Sequence, residues 1–351
     1  MPKKRLTGPS EADRRLRRVD NFENRRLVQE QVEEFGVEQT AQLAANRAER
    51  RRIEITSTMM GDDGTDPGFL HSAMCMVSLP AKKPAADMEA WTRENGRVSL
   101  TIAPGIFKAP GRPLERIGVP YGARARLLLM YLQSEAIRTK QPVISMGGSL
   151  SEWMRSVGIE HITGGRTGSI GQTYEQTRRL GFAAFSLVWE KPDGTGYGVI
   201  PNRTIIEKMD LWKGGNPDQG MLWPSTMELT LQFFESLREH AVPFPREAIV
   251  RIKGSALAID LYIWLVYRLR RLGKPVLVPW DALHGHLGAD YGRPQDFKRK
   301  AIEALRLALA AYPDARAEPC DGGLLLKPSR SAIPSSTVFS SLKKPAADGA
   351  A

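Results

Sequence analysis

The feature that most constrains this chain is an order of predicted elements that occurs twice. An apolar-striped helix at residues 121–140 is followed by a short strand, a short helix ending in glycine, a helix with a polar start, and a strand–turn–strand. The second half of the chain repeats this course. The interval from the proline of the short strand to the glycine that ends the short helix is similar in both copies, Pro142 to Gly158 and Pro275 to Gly288. A repeat of this size indicates a duplicated domain rather than a solenoid.

Local signals support these elements. In the first copy Ser149 is predicted to cap the short helix, Glu152 follows at the capping-box spacing, and Gly158 is a stop signal. In the second copy arginines fill the last turn of the long helix before Gly273. The turn sequence KPDGTG at residues 191–196 lies between two strand-like runs and predicts a hairpin.

A winged helix consists of a helix, a strand, a helix, a turn, a helix and a hairpin, in this order. In helix-turn-helix proteins the second helix of the motif lies in the DNA major groove, and its first residues meet the base edges. We therefore expect an α+β fold of tandem winged-helix domains with a basic N-terminal arm, which would cover two neighbouring segments of duplex. The alternative is a pair of small α+β units with another use.

The expected domain boundaries follow the composition. Residues 1–68 are rich in arginine and glutamate and contain few aromatic residues, which predicts a basic, partly helical or disordered arm and linker. Residues 69–204 would be the first winged-helix domain, considered for dimerisation and for DNA binding. Residues 205–333 would be the second, DNA-binding one, and residues 334–351 a flexible tail.

The formal net charge of +11 favours nucleic acid or another anionic surface as the partner. The two cysteines, Cys75 and Cys320, form no C-x-x-C pair, so we expect neither a disulfide framework nor a zinc module; a reducing cytosol fits. The longest apolar run, residues 257–269, carries Asp260 and is too short for a membrane span. It predicts a buried helix and no membrane partner.

Residues 164–182, GGRTGSIGQTYEQTRRLGF, begin as a glycine-rich loop. A P-loop would need a lysine and a hydroxyl residue at set places, and no lysine follows these glycines, which disfavours nucleotide binding. The spacing instead predicts a helix from about Thr167 that packs inward through Ile170, Tyr174, Thr177 and Leu180. Glutamine can pair with adenine, and arginine with guanine or phosphate. The expected DNA contacts of this segment are Arg166, Thr167, Ser169, Gln172, Thr173, Gln176, Arg178 and Arg179, against the alternative of a solvated polar face.

The matching helix of the second half is more basic. Its predicted inward face consists of Phe297, Ala301, Leu305, Ala308 and Leu309. Phosphate contact is expected to outweigh base readout here, with solvated surface as the alternative. The expected DNA contacts are Tyr291, Arg293, Gln295, Lys298, Arg299, Lys300 and Arg306.

The segment HGHLGADY at residues 284–291 is similar to the histidine–apolar–histidine metal motif of rolling-circle nicking enzymes. Here Gly285 separates the histidines and no acid-rich partner motif is visible. A cap or surface role for the histidines is therefore expected. The chain also has no G-x-S-x-G and no H-E-x-x-H. We expect no catalytic residue, no metal and no cofactor.

Several blocks of this sequence resemble the RepA-type plasmid replication initiators. The blocks read IGVPYGARARLLLMYLQSEAIRT, SLSEWMRSVGI, TGGRTGSIGQTYEQTRRL, DLWKGG, ELTLQFFESL, PFPREAIVRIKGSALAIDLYIWLVYRL and YPDARAEPCDGGLLLKPS, and the resemblance as a whole covers roughly residues 70–333. The resemblance implies two winged-helix domains that bind repeated sequences at a plasmid origin. It further implies melting of nearby AT-rich DNA, recruitment of the host replication initiator and replicative helicase, dimerisation, and repression of its own promoter. A transcriptional repressor without a replication role is the alternative function, and a nicking enzyme is a more remote one.

Overall fold

The computed structural model describes residues 25–42, 44, 46–62, 64, 66–108, 110–111, 113–165, 167–191, 193–212 and 223–333. Helices and strands are mixed along this part of the chain, as expected for the α+β class. The expectations for residues 1–24 and for the tail at 334–351 lie outside the described residues. No helix among the described residues is both long and apolar enough to cross a membrane.

Three helices form in the described part of the expected N-terminal arm. They are α1 (Arg25–Phe35), α2 (Val37–Gln42) and α3 (Arg47–Met60). The side chain of Asn46 caps α3 by accepting a hydrogen bond from the backbone N–H of Glu49 at 2.9 Å. Ile53, Ile55 and Met59 of α3 are buried. The end of the expected arm is thus packed into the body of the protein, because α3 presents an apolar stripe to it.

The first half of the body contains eight strands and four helices in the described residues. In chain order these are β1 (Pro67–His71), α4 (Ser72–Met76), β2 (Trp91–Asn95), β3 (Val98–Ala103), β4 (Gly105–Phe107), β5 (Glu115–Ile117), α5 (Gly122–Thr139), β6 (Val143–Ser145), α6 (Leu150–Ser156), α7 (Ser169–Phe182), β7 (Ala184–Glu190) and β8 (Tyr197–Thr204). The order α5, β6, α6, α7, β7, β8 is the order predicted from the sequence.

The second half repeats that order after a connecting region. It contains β9 (Ile206–Trp212), β10 (Trp223–Leu229), α8 (Leu231–His240), β11 (Ala241–Pro245), α9 (Arg246–Ile252), α10 (Ala256–Leu269), β12 (Val276–Pro279), α11 (Trp280–Leu287), α12 (Pro294–Ala310), β13 (Arg316–Cys320) and β14 (Gly323–Lys327). The last six of these elements form the second copy.

The predicted caps of α6 are present, whereas α10 ends at Leu269, before the predicted stop at Gly273. The Ser149 hydroxyl accepts a hydrogen bond from the N–H of Glu152 at 3.2 Å. The Glu152 carboxylate in turn accepts one at 2.8 Å, from the N–H of Gly148 rather than from that of the cap residue itself. Gly158 follows the helix with a φ of 78°, the left-handed region that favours glycine. Ser255 caps α10 in the same manner, accepting from the N–H of Ala258 at 3.2 Å.

The two copies differ in how their strands pair. In the second copy the hairpin after α12 pairs with the strand before α11, in the order β12-β14-β13. In the first copy the hairpin β7–β8 instead extends the β2–β3 hairpin, in the order β2-β3-β7-β8, and β6 pairs with β10. The repeat therefore holds for the order of elements and not for the sheets, since β6 finds its partner in a segment that comes after its own copy.

One apolar core extends through both halves. Strand β1 pairs antiparallel with β11, so that Leu70 lies opposite Val242. Helices α5 and α10, the first helix of each copy, lie against each other and are joined by a buried ion pair between Arg126 and Asp260. The predicted burial of α10 is confirmed, because Leu257, Ile259, Leu261 and the other core residues of this helix are at most a few per cent exposed.

Candidate nucleic-acid interface

Helix α12 has the amphipathic character predicted for it. Phe297, Ala301, Leu305, Ala308 and Leu309 are all buried, which fixes the orientation of the helix on the core. On the other side the residues are exposed or half-buried. The exposed ones are Arg293, Gln295, Arg299 and Lys300, and the half-buried ones are Lys298 and Arg306.

The ion pairs on this face are weak competitors for a phosphate. Arg299 lies 3.6 Å from Asp296, and Lys300 lies 2.8 Å from Glu303, with all four side chains about half exposed. Such surface pairs contribute ~0–1 kcal/mol. Both cations can therefore exchange these partners for a phosphate oxygen at small cost.

Two of the predicted contact residues near the start of α12, Tyr291 and Lys298, already pack against aromatic rings of the protein. The Lys298 ammonium lies 5.3 Å from the centre of the Trp280 ring. Tyr291 packs against Phe297 with 5.7 Å between ring centroids, and the Lys82 ammonium lies 5.1 Å from the Tyr291 ring centre. Burial raises the pKa of Tyr291 above its ordinary value. The side chain of Tyr291 thus packs against α12 and supports it.

The structure corrects the prediction for α7. Thr173, Gln176 and Arg179 were expected on an outer face and are 1%, 4% and 7% exposed. Gln176 Oε1 accepts a hydrogen bond from the backbone N–H of Tyr121 at 2.8 Å. Arg179 Nη1 donates to the carbonyl of Val119 at 3.0 Å. These three side chains lie in the interior of the protein. Their predicted position on an outer face is therefore wrong.

The reason is a segment that the periodicity of α7 cannot reveal. Phe107 packs against α7, and the backbone of Val119 and of Tyr121 forms hydrogen bonds with the side of α7 that was expected to face DNA. Conversely, Ile170 and Tyr174, expected to point inward, are only partly buried, whereas Leu180 is fully buried as predicted. The turn-forming sequence PGRP at residues 110–113 lies between two short apolar runs. It is the signal that could have indicated the β4–β5 hairpin.

Ser169 closes the glycine-rich loop instead of facing solvent. Its hydroxyl accepts a hydrogen bond from the N–H of Thr163 at 2.8 Å, and the Thr163 hydroxyl accepts one from the N–H of Ser169 at 2.9 Å. Gly168 approaches the chain so closely that a Cβ there would overlap the carbonyl oxygen of Gly164. Glycine is therefore required at this position by a close backbone approach. The expected outward position of Ser169 is wrong.

The remaining predicted residues of α7 lie in different places. Thr167 and Gln172 are exposed at the start of the helix; Gln172 donates to the Thr167 carbonyl and accepts from Arg124, both at 2.6 Å. Arg178 is half-buried and forms an ion pair with Glu115 at 2.6 Å. Arg166 lies outside the described residues. Of the predicted contact residues in this segment that the structure describes, only Thr167, just before α7, and Gln172, in its first turn, are exposed.

The two histidines of the HGH motif contribute to packing. His284 Nε2 lies 3.0 Å from the carbonyl oxygen of Tyr291. His286 is buried and its Nε2 meets the carbonyl oxygen of Met76 and the amide of Asn95. Burial lowers the pKa of His286 to about 4, so the ring is neutral near pH 7. No group of three or more metal-binding side chains occurs in the part of the chain that the structure describes.

The buried ion pair was not predicted as a pair. Arg126 and Asp260 have side chains that are 4% and 7% exposed, and both carboxylate oxygens accept hydrogen bonds from the guanidinium. The carboxylate in the apolar run at residues 257–269 is the signal for it, since a buried charge requires a partner. The identity of that partner, 134 residues away, needed the tertiary structure.

A known protein family matches part of the chain. Residues 119–281 match the family model of plasmid-encoded RepA proteins. The resemblance to RepA proteins is therefore confirmed for this stretch, which runs from just before α5 to the start of α11. The remainder of the resemblance, residues 70–118 and 282–333, lies beyond the matched region.

Two solved structures and one negative result complete the comparison. A selenomethionine crystal structure of domains 2 and 3 of RctB aligns with a TM-score of 0.42 and 11% identity, over 70% of this chain and 86% of that one. A second structure of RctB domains 2–3 gives a TM-score of 0.42 and 12% identity, over 73% of this chain and 96% of that one. No curated protein matches the sequence.

Proposed function

We propose that this chain is a plasmid replication initiator that binds repeated sequences at a plasmid origin. The family match over residues 119–281 supports the replication role. The observation that carries the DNA-binding part is the exposed side of α12, where Arg293, Gln295, Arg299 and Lys300 project from a helix whose opposite side is buried. A rigid, basic helix of this kind fits the major groove.

In this proposal the second copy is a winged helix with α12 as its recognition helix. The hairpin β13–β14 follows α12 and pairs with the strand before α11, as a wing would. The cations of α12 contact phosphates, and Gln295 meets a base edge near the start of the helix. The first copy is a second winged helix that contributes Thr167, just before α7, and Gln172, in the first turn of α7.

Initiation would follow from binding energy and not from a catalytic group. Wrapping or bending the origin costs about 1–6 kcal/mol, which added protein–DNA contacts offset. We further propose that the chain acts in the bacterial cytoplasm, melts AT-rich DNA, and recruits the host replication initiator and replicative helicase. Dimerisation and repression of its own promoter belong to the same proposal.

A footprint of the full-length chain on the DNA flanking its gene tests the DNA-binding part. We expect protected direct repeats one or two helical turns apart. Arg299→Ala/Lys300→Ala should weaken the protection, whereas Arg97→Ala/Arg238→Ala should not; the latter pair also removes two exposed cations, from the β2–β3 turn and from α8. A flank without any protected sequence would contradict the proposal.

A plasmid assay separates initiation from repression alone. If the gene is deleted from a minimal plasmid and supplied in trans, an initiator restores replication and its absence abolishes it. A plasmid that replicates normally without the gene would identify a repressor instead.

A further inference from the structure

Strands β4 and β5 form a two-stranded ribbon that pairs with no other strand in the described residues. A hairpin of two strands is marginally stable in water by itself, so packing must hold it. Phe107 packs against Phe182 of α7 at 5.3 Å between ring centroids. The Glu115 carboxylate accepts hydrogen bonds from both Nη atoms of Arg178, at 3.2 and 2.6 Å. The ribbon is thereby fixed along the C-terminal half of α7.

The ribbon has a distinct outward face. Its register places Ile106 opposite Arg116, and Lys108, just after β4, and Leu114, just before β5, are exposed beside this pair. Ile106 and Leu114 are 65% and 64% exposed, and both cations are exposed as well. Arg116 also donates to the Met88 carbonyl at 2.9 Å, which orients its side chain. We call Ile106, Lys108, Leu114 and Arg116 the ribbon face.

The position of the ribbon next to α7 gives this face a context. Thr167, just before α7, and Gln172, in its first turn, are exposed at the end of the helix away from the ribbon contacts at Arg178 and Phe182. The hairpin β7–β8, which would be the wing of the first copy, is built into a four-stranded sheet with β7 at an inner position. The ribbon is therefore a two-stranded element beside α7 that is not part of a larger sheet in the described residues.

We propose that the ribbon face contacts the minor groove of duplex DNA, adjacent to the segment met by the first turn of α7. This inference rests on the proposed DNA-binding function. Cations suit the minor groove, where a narrow width strengthens the negative potential. Exposed aliphatic side chains next to such cations act as wedges between base steps and bend the duplex. The charge balance agrees, since Glu115, the acid of the ribbon, is neutralised by Arg178 on the opposite face.

Two double variants test the two halves of this face. The probe is a duplex selected from a random-sequence pool by the full-length chain, labelled with a fluorophore at each end. Lys108→Ala/Arg116→Ala should lower the slope of log K against log salt by about 2, because each substitution removes one cation that binds a phosphate. Ile106→Ser/Leu114→Ser should keep the slope, lower the affinity about tenfold and reduce the bend seen by energy transfer between the ends.

The matched control is Arg97→Ala/Arg238→Ala, which should keep the wild-type slope, affinity and bend. Circular dichroism and thermal unfolding of each variant establish that the fold is retained. If the wild type selects and binds no duplex, the proposed function fails. If it binds and both ribbon variants behave as the control does, the ribbon inference alone is overturned. A change in the sedimentation of the free chain with unchanged DNA binding would make the ribbon a protein contact and would likewise overturn it.

Discussion

The guanidinium of Arg126 and the carboxylate of Asp260 form a buried bidentate ion pair, with N–O distances of 2.6 and 2.7 Å. The remaining N–H groups of Arg126 donate to the carbonyl oxygens of Leu79, Pro80 and Gly122, so all five donors of the guanidinium have acceptors. This one side chain therefore joins the first helix of each copy to the segment that precedes β2.

Neutralising the acid of this pair should destabilise the whole chain. Asp260→Asn leaves the Arg126 charge buried without its counter-charge, and we expect a loss of about 3–5 kcal/mol in the free energy of unfolding. Urea denaturation followed by circular dichroism measures it. Arg126→Met/Asp260→Leu should be closer to the wild type, because it removes both buried charges at once.

The exposed pair Arg50–Glu54, at 3.3 Å, supplies the control for that measurement. Glu54→Gln should change the free energy of unfolding by less than about 0.5 kcal/mol. A loss no larger than this for Asp260→Asn would show that the buried pair does not stabilise the contact between the two halves.

Gln176→Ala should act on stability and not on sequence recognition. Its buried amide accepts a hydrogen bond from the N–H of Tyr121, which the substitution would leave unsatisfied. We expect a loss of about 1–3 kcal/mol in the free energy of unfolding and an unchanged preference among DNA sequences. Gln172→Ala, on the exposed first turn of α7, is the counterpart: it should leave the stability unchanged and relax the sequence preference. The reverse pattern would restore Gln176 as a reading residue.

Lys300→Ala should lower the salt dependence of DNA binding. If Lys300 contacts one phosphate, the slope of log K against log salt falls in magnitude by about 1. Filter binding or fluorescence anisotropy over a range of salt concentrations measures the slope. Glu303→Gln removes the acidic partner at 2.8 Å and keeps the lysine, so it should bind at least as tightly as the wild type. An unchanged slope in Lys300→Ala would exclude this phosphate contact.

The free energy of unfolding should decrease as the pH is lowered, because of His71. Burial, and then the neighbouring His240, lower the pKa of His71 from 6.5 to about 3. The folded state keeps this ring neutral, whereas the unfolded chain takes up a proton below about pH 6.5. The contribution is therefore fully present above pH 6.5 and is lost as the pH falls towards 3, at up to about 1.4 kcal/mol per pH unit.

Urea unfolding at several pH values between 7 and 4 measures this effect. His71→Asn, which retains a side chain able to cap α4, should flatten the dependence, and His161→Asn, at an exposed site, should not. Equal pH dependence in wild type and His71→Asn would assign the effect to other groups.

Much of the local structure could be predicted from the sequence, because its causes are local. The cap at Ser149, the β7–β8 hairpin and the apolar side of α12 depend on residues a few positions apart. The buried face of α12 is correct because five apolar residues at helical spacing outweigh any other packing of that helix. The predicted order of elements in the two copies is confirmed for the same reason.

The outer side of α7 could not be predicted in this way. Periodicity gives the angular positions of Thr173, Gln176 and Arg179 on the helix, but polar residues are equally suited to solvent and to buried hydrogen bonds. Which of these they meet depends on the ribbon and the turn to α5, which approach from more than fifty positions away in the sequence.

The sequence alone determined the helices of the two copies, the cap at Ser149, the duplicated order of elements and the net charge, since each of these depends on residue type and short-range spacing. Only the tertiary structure decided which polar faces are covered, that β6 pairs outside its own copy, and that Asp260 meets Arg126. Contacts between distant segments are set by how whole elements pack, and a linear pattern carries no record of the partner.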